Sequence, residues 1–165
     1  MIGQGNSLAN VIIANTEGDT LIGGKGNDTL YGGAGDDTYV FSAGDGKDIV
    51  IADPGGTNVV NIGTSYDNIA IWRSGSGANT SYTLSYSANN ADEITFKTVG
   101  SGVNLQINDN GISYITQTDI DKIIMDINQY AGTHTGINSV ETLRAAMNKD
   151  ETFKSILIAD WGPHS

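Results

Sequence analysis

Three aspartates, Asp19, Asp28 and Asp37, recur every nine residues, and glycines recur with them. Residues 23–31 read GGKGNDTLY and residues 32–40 read GGAGDDTYV. These abutting units share the form G-G-x-G-x-D-x-U-x, where U is a large apolar residue. A carboxylate supplies charge and hard oxygen atoms, and glycine lets peptide carbonyls approach a bound ion closely. Calcium takes about six to eight oxygens at roughly 2.3–2.6 Å, so this composition points to a divalent cation held by carboxylates and carbonyls. The candidate ligands are the turn residues Ala14, Thr16 and Asp19, then Gly23, Gly24, Lys25, Gly26 and Asp28. They continue with Gly32, Gly33, Ala34, Gly35 and Asp37, and finally Gly44, Gly46 and Asp48.

The phase extends beyond the two full units. Residues 14–22 (ANTEGDTLI) keep Asp19 and Leu21 but lose the glycines, and residues 43–51 (AGDGKDIVI) keep Gly44, Gly46, Asp48 and Val50. Residues 53–61 (DPGGTNVVN) put Asn58 where the aspartate belongs, and residues 5–13 (GNSLANVII) resemble a degraded start. Each unit reads as a six-residue turn followed by a three-residue strand whose apolar member points inward. One such unit cannot bury its apolar residue, whereas a stack of them can. Two units make one coil, so Asp19 and Asp37 are expected on one edge and Asp28 and Asp48 on the other. Two or three calcium ions are expected between successive turns. The best-formed sites pair 14–19 with 32–37 and 23–28 with 43–48. A weaker one pairs 32–37 with 53–58.

Composition agrees with a cation-binding domain. The 165-residue chain has 19 acidic against 8 basic residues, a formal net charge of −11. That disfavours nucleic acid and anionic membrane as direct partners. With 22 glycines and only 2 prolines, many tight turns are expected rather than a collagen-like chain. There is no cysteine, so neither disulfides nor thiolate metal sites can form. No stretch is apolar enough to span a bilayer, and no signal peptide is expected from the residues after Met1.

After residue 61 the period is lost. Residues 62–117 predict a β-rich capping region with strands at 68–72, 82–86, 93–99, 103–107 and 112–116. The breaks at 74–79, 100–102 and 108–111 separate them. Residues 118–165 predict helices. Thr118 and Asp121 have capping-box spacing, and Ile120, Ile123, Ile124 and Ile127 form one apolar face ending at Gly132. Further helices are expected over 139–148 and about 151–160, the last placing Phe153, Ile156 and Leu157 on one side. The fold class is thus mainly β: a right-handed parallel β-roll over 1–61, a β-rich cap and a short helical C-terminal region.

No enzymatic activity is expected. His134 and His164 stand alone, and neither G-x-S-x-G nor H-E-x-x-H occurs. Asn108–Gly111 reads as a hairpin turn rather than an EF-hand loop. Asp36 and Asp45 fall at variable repeat positions: Asp36 is expected to face solvent, and Asp45 to offer only its carbonyl. Trp72 and Trp161 read as packing residues.

The repeats, together with DDTYVFSAGDGKDIV (36–50), resemble the RTX (repeats-in-toxin) family of proteins secreted by the type I pathway. DNIAIWRS (67–74) resembles the strand that follows the repeats in that family, although the segment after it departs from the usual pattern. The C-terminal segments IDKIIMDINQY and TFKSILIADW are similar to the end of the family's adenylate cyclase toxins. The resemblance implies a cap that nucleates the roll, a C-terminal signal read by the type I secretion machinery, export in the unfolded state and folding on external calcium. It implies a monomeric, secreted module of a toxin, adhesin or hydrolase. Asp53-Pro54 resembles the bond cut in self-processing modules but sits in a degenerate turn. An autonomous adhesin or surface-layer module is the alternative reading.

Overall fold

In each repeat the apolar residue and the aspartate two places before it share one face, because side chains along a strand alternate sides. That face turns inward. The computed structural model describes residues 1–52, 55–63, 69–75, 80–98, 104–109, 113–115 and 117–160. The repeat strands are β1 (Ile2–Gln4), β2 (Val11–Ile13), β3 (Thr20–Ile22), β4 (Thr29–Gly33), β5 (Thr38–Phe41), β6 (Lys47–Ala52) and β7 (Thr57–Ile62). They alternate between two parallel sheets, β1-β3-β5-β7 and β2-β4-β6, so that two units complete one coil. The degraded segment 5–13 takes part fully, contributing the turn before β2.

The core of the coil is one side chain deep on each sheet. Leu21, Tyr39 and Val60 lie in register on one, and Leu30 and Val50 on the other, all fully buried. Phe41, Ala52 and Ile62 widen this core toward the cap.

The later strands are β8 (Ala70–Ser74), β9 (Ser81–Ser85), β10 (Glu93–Thr98), β11 (Asn104–Asp109) and β12 (Ser113–Ile115). All five expected strands are present, shifted by up to two residues. They do not form a separate sheet. β10 pairs in parallel with β6, and β11 in parallel with β7, so both sheets run on through residue 61. Only then does the pairing turn antiparallel, through β9 and β8 on one sheet and β12 on the other. The β11–β12 pairing fits the hairpin expected around Asn108–Gly111, although residues 110–112 lie outside the described residues, as do Asp53, Pro54, Trp161 and His164.

Three helices follow: α1 (Gln117–Thr133) packs beside β8, β11 and β12, α2 (Val140–Met147) beside β8 and β9, and α3 (Glu151–Asp160) against α1 and α2. Ile120, Ile123, Ile124 and Ile127 are buried as one face, as expected. Each such side chain contributes about 1.5–3 kcal/mol on burial. Two terminus expectations are corrected. Thr118 lies inside the first turn of α1 and so is not its cap, and the helix runs through Gly132 to Thr133, glycine being disfavoured but not forbidden inside a helix. The capping box belongs instead to α2, where the Ser139 hydroxyl accepts from the Thr142 N–H and the Ser139 N–H donates to Thr142 Oγ1.

Candidate metal-binding turns

The candidate ligands fall in the turns that link the two sheets. Ala14, Thr16 and Asp19 lie between β2 and β3, and Gly23, Gly24, Lys25, Gly26 and Asp28 between β3 and β4. Gly32 and Gly33 end β4, followed by Ala34, Gly35 and Asp37 before β5. Gly44 and Gly46 precede β6, and Asp48 lies within it. Asp19, Asp28, Asp37 and Asp48 are at most 3 % exposed, an unusual placement for carboxylates.

These aspartates form two ladders, paired as the coil geometry requires. The Asp19 N–H donates to Asp37 Oδ1 at 3.0 Å, and the Asp28 N–H donates to Asp48 Oδ1 at 2.8 Å. One rung lower, the Asn10 N–H donates to Asp28 Oδ1 at 2.7 Å, so the turn of residues 5–10 also joins the stack. Each ladder gives way to an apolar residue in the later strands: Ile94 takes the register position after Asp48, and Leu105 the position after Asn58. The spacing between rungs widens from 18 to 20 residues at Asp48. The extra residues are absorbed where the Asp45 N–H donates to the Ser42 carbonyl, and by an irregular register between β4 and β6.

One oxygen of each of these contacts is engaged, which leaves the other to consider. Asp28 Oδ2 and Asp48 Oδ2 are buried with no hydrogen-bond partner, as are both side-chain polar atoms of Asn58. A buried charge without compensation is strongly unfavourable. The glycines explain how a cation fits there. A Cβ on Gly23 would collide with Asp28 Oδ2, so the first glycine of the turn makes room for that oxygen. At Gly33, with φ +80°, a Cβ would strike the Asn15 carbonyl of the turn below. The same holds at Gly46 against the Gly26 carbonyl. Carbonyls of one turn therefore face the glycines of the next. A hard cation between the turns of the second ladder would find the Asp28 and Asp48 carboxylates and the Gly26 carbonyl, an oxygen-only set that suits calcium. Among the described residues no three His, Cys, Asp or Glu side chains are placed to hold a metal by themselves, so backbone oxygens are essential to any such site.

The ladders differ in electrostatics. Burial pushes the Asp48 carboxyl up to about 7, reinforced by the charges of Asp28, Asp45 and Asp92 and opposed by the Asp28 N–H. Asp19 is held below its ordinary value, first by the chain's amino group, which donates to Oδ1, and then by the Asn15 N–H. A bound divalent ion would supply charge neutralisation at Asp48 that protons otherwise supply.

The variable-position aspartates behave differently from each other. Asp36 is exposed, as expected, and accepts from the Thr57 N–H at 2.7 Å. Asp45 is only 8 % exposed. Its carbonyl accepts from the Gly26 N–H, and its carboxylate from the Ser42 N–H. Besides the carbonyl that the sequence reading offers as a ligand, the Asp45 carboxylate thus holds the Ser42 turn. Asp92, buried at the cap edge, escaped the sequence reading altogether, because its D-x-U signal (Asp92, Glu93, Ile94) has no accompanying glycines.

Residues 4–39 match the family model of the RTX calcium-binding nonapeptide repeat, in four copies. The match makes residues 4–39 similar to RTX calcium-binding repeats and covers less than half of the chain. It includes the turn of residues 5–10. No curated protein matches the chain.

Proposed function

We propose that the chain is a calcium-responsive folding module of a secreted protein, exported by the type I machinery and ordered when it meets external calcium. The observation that carries this reading is the stack of buried aspartates whose outer oxygens, at Asp28 and Asp48, have no partner. Two or three ions seated in the turns would convert a repulsive ladder into a cohesive one. The roll, taken as right-handed, has a core one side chain deep. Its order would therefore be linked to metal occupancy. Extracellular calcium modules bind at about 0.1–1 mM. At ten times the dissociation constant each independent site adds about 1.4 kcal/mol.

Under this reading residues 1–61 bind calcium, 62–117 cap the roll, and 118–165 carry the secretion signal. The last assignment follows from the sequence resemblance of residues 120–130 and 152–161 to the end of adenylate cyclase toxins. The module works as a monomer within a toxin, adhesin or hydrolase. Circular dichroism in calcium-free buffer is expected to show loss of most β signal, restored by millimolar calcium. A full β signal in excess chelator refutes calcium-dependent folding. Separately, deletion of 118–165 is expected to abolish type I export of a fusion, and unaffected export refutes the signal assignment.

A further inference from the structure

The first coil of the roll stands at one end of both sheets, β1 beside β3 and β2 beside β4. The Thr20 N–H donates to the Met1 carbonyl and the Gly5 N–H to the Ile22 carbonyl. Backbone groups alternate along a strand, so the N–H and carbonyl of Ile2 and Gln4 point to the open edge. In β2 the Asn10 carbonyl accepts from the Thr29 N–H, and the Ala14 N–H donates to the Tyr31 carbonyl, so those of Val11 and Ile13 point outward likewise. Edge strands are ordinarily blunted by charge, proline or a bulge. Residues 1–13 contain no charged side chain and no proline, in a chain of net charge −11. The Met1 amino group is paired with Asp19. Ile2, Leu8, Val11 and Ile13 are each at least 67 % exposed. With Met1 they make five of the eight large apolar side chains exposed among the described residues, so this surface is concentrated where both sheets stop.

Gly3 and Ile12 decide what can cover it. They are the middle residues of β1 and β2 and face each other across the roll, since a Cβ on Gly3 would lie 2.8 Å from Ile12 Cγ2. One axis normal to the sheets therefore passes through the centre of both edges. A half-turn about that axis lays the β1 of a second copy antiparallel to β1, and its β2 antiparallel to β2. Ile2 then stands opposite the partner's Gln4 and Val11 opposite the partner's Ile13, the residues whose backbone groups are turned outward. We propose that two copies of this chain join pole to pole in this way, each sheet running across the two-fold axis into its counterpart. Val11 beside the partner's Ile13 is a favourable β-branched cross-strand pair. The charge-free strands also reduce the repulsion that two acidic chains would otherwise meet. Pairing closes at two, because the interface is isologous and α1 packs beside β8 and β12 at the far ends of the sheets. In the reading above the calcium-responsive module is one chain. Pairing is a further step between folded modules, and either can fail without the other.

The test is analytical ultracentrifugation of the full chain in millimolar calcium over a range of concentrations, beside Ile13→Lys and Met125→Lys. A contact of four short strands lies at the weak end of protein interfaces, so the average mass is expected to climb from one chain toward two as concentration rises. Ile13→Lys, which places a charge on the edge, is expected to weaken association at least tenfold. Met125→Lys, at an exposed apolar position on α1, is expected to match the parent. A parent that stays a single chain at its highest soluble concentration overturns the pairing and leaves the proposed function standing. A dimer that Ile13→Lys leaves intact overturns it too. The register is read separately by disulfide formation, because the chain has no cysteine of its own. Val11→Cys mixed with Ile13→Cys is expected to cross-link faster under mild oxidation than either variant alone, since only the mixed pair stands directly opposite. Equal cross-linking in all three samples, or none in any, overturns the two-fold arrangement. Circular dichroism checks that the lysine variants remain folded, and the cross-linking decides where one does not.

Discussion

The roll and the cap bury different things. In residues 1–62 the inward apolar side chains Leu21, Leu30, Tyr39 and Val50 each have a buried aspartate two residues before them, Asp19, Asp28, Asp37 and Asp48. In the helical part of the cap, Ile120, Ile123, Ile127, Leu143 and Leu157 pack together, and Arg144 is buried with its Nε donating to Asn90 Oδ1 at 2.7 Å and its Nη2 reaching the Ser85 carbonyl. The helical part satisfies the buried Arg144 from within the chain. Among the described residues, the roll leaves Asp28 Oδ2 and Asp48 Oδ2 buried without a hydrogen-bond partner. Continuous sheets thus join a part whose buried charge is met from within to one with unpartnered carboxylate oxygens.

The largest separation of the two halves should come from cavities in the cap. Leu143→Ala is expected to cost about 2–5 kcal/mol, and the loss should be the same with and without calcium when followed by thermal unfolding of the helical signal. A loss that appears only without calcium would mean that the halves are not separable. Glycine substitutions sharpen the contrast at smaller scale. Gly33→Ala forces a side chain to positive φ and against the Asn15 carbonyl, so it should cost about 1–3 kcal/mol and weaken calcium binding. Gly132→Ala, in α1 with open space around its Cα, should stabilise by up to about 1 kcal/mol and leave binding unchanged.

Protons give the subtlest comparison. Asp48 lies well above its ordinary value in the folded, metal-free roll. A raised carboxyl gives stability that is present below the unfolded pKa and lost as pH rises through the folded one. In calcium-free buffer the β signal of the roll should therefore grow as pH falls from about 7 toward 4, while the helical signal stays level. Asp19 and Asp150, both held below their ordinary values, oppose this trend only at lower pH. A roll signal that falls over that range would count against a strained, charged Asp48.

The repeat phase was legible because a coil reuses one solution: the same residue types return to the same place every second unit. That is why both aspartate pairs could be assigned by counting from Asp19 and Asp28. The cap strands were legible one at a time from their β-branched and aromatic runs. Their pairing was not, since nothing local in Glu93–Thr98 specifies a parallel partner over forty residues upstream. The burial of Asp45 was not legible because its position in the repeat is usually variable, and it accompanies the two-residue insertion that brings a new turn around Ser42. Arg144 lies on a helix face that sequence periodicity assigns to packing, and its partners Ser85 and Asn90 are distant in the chain.

The rungs occupied by Ile94 and Leu105 give the solenoid a direction. Past Ile94 the described residues in register are Leu84 and Ile71, so the ionic column of that sheet is not extended from that side. At the opposite side, β1 and β2 each have one strand edge to which another coil could be added in the same register. Lengthening by duplication is thus compatible with this architecture at one pole only. Whole two-strand increments there would preserve every existing pairing, including the junction with the helices.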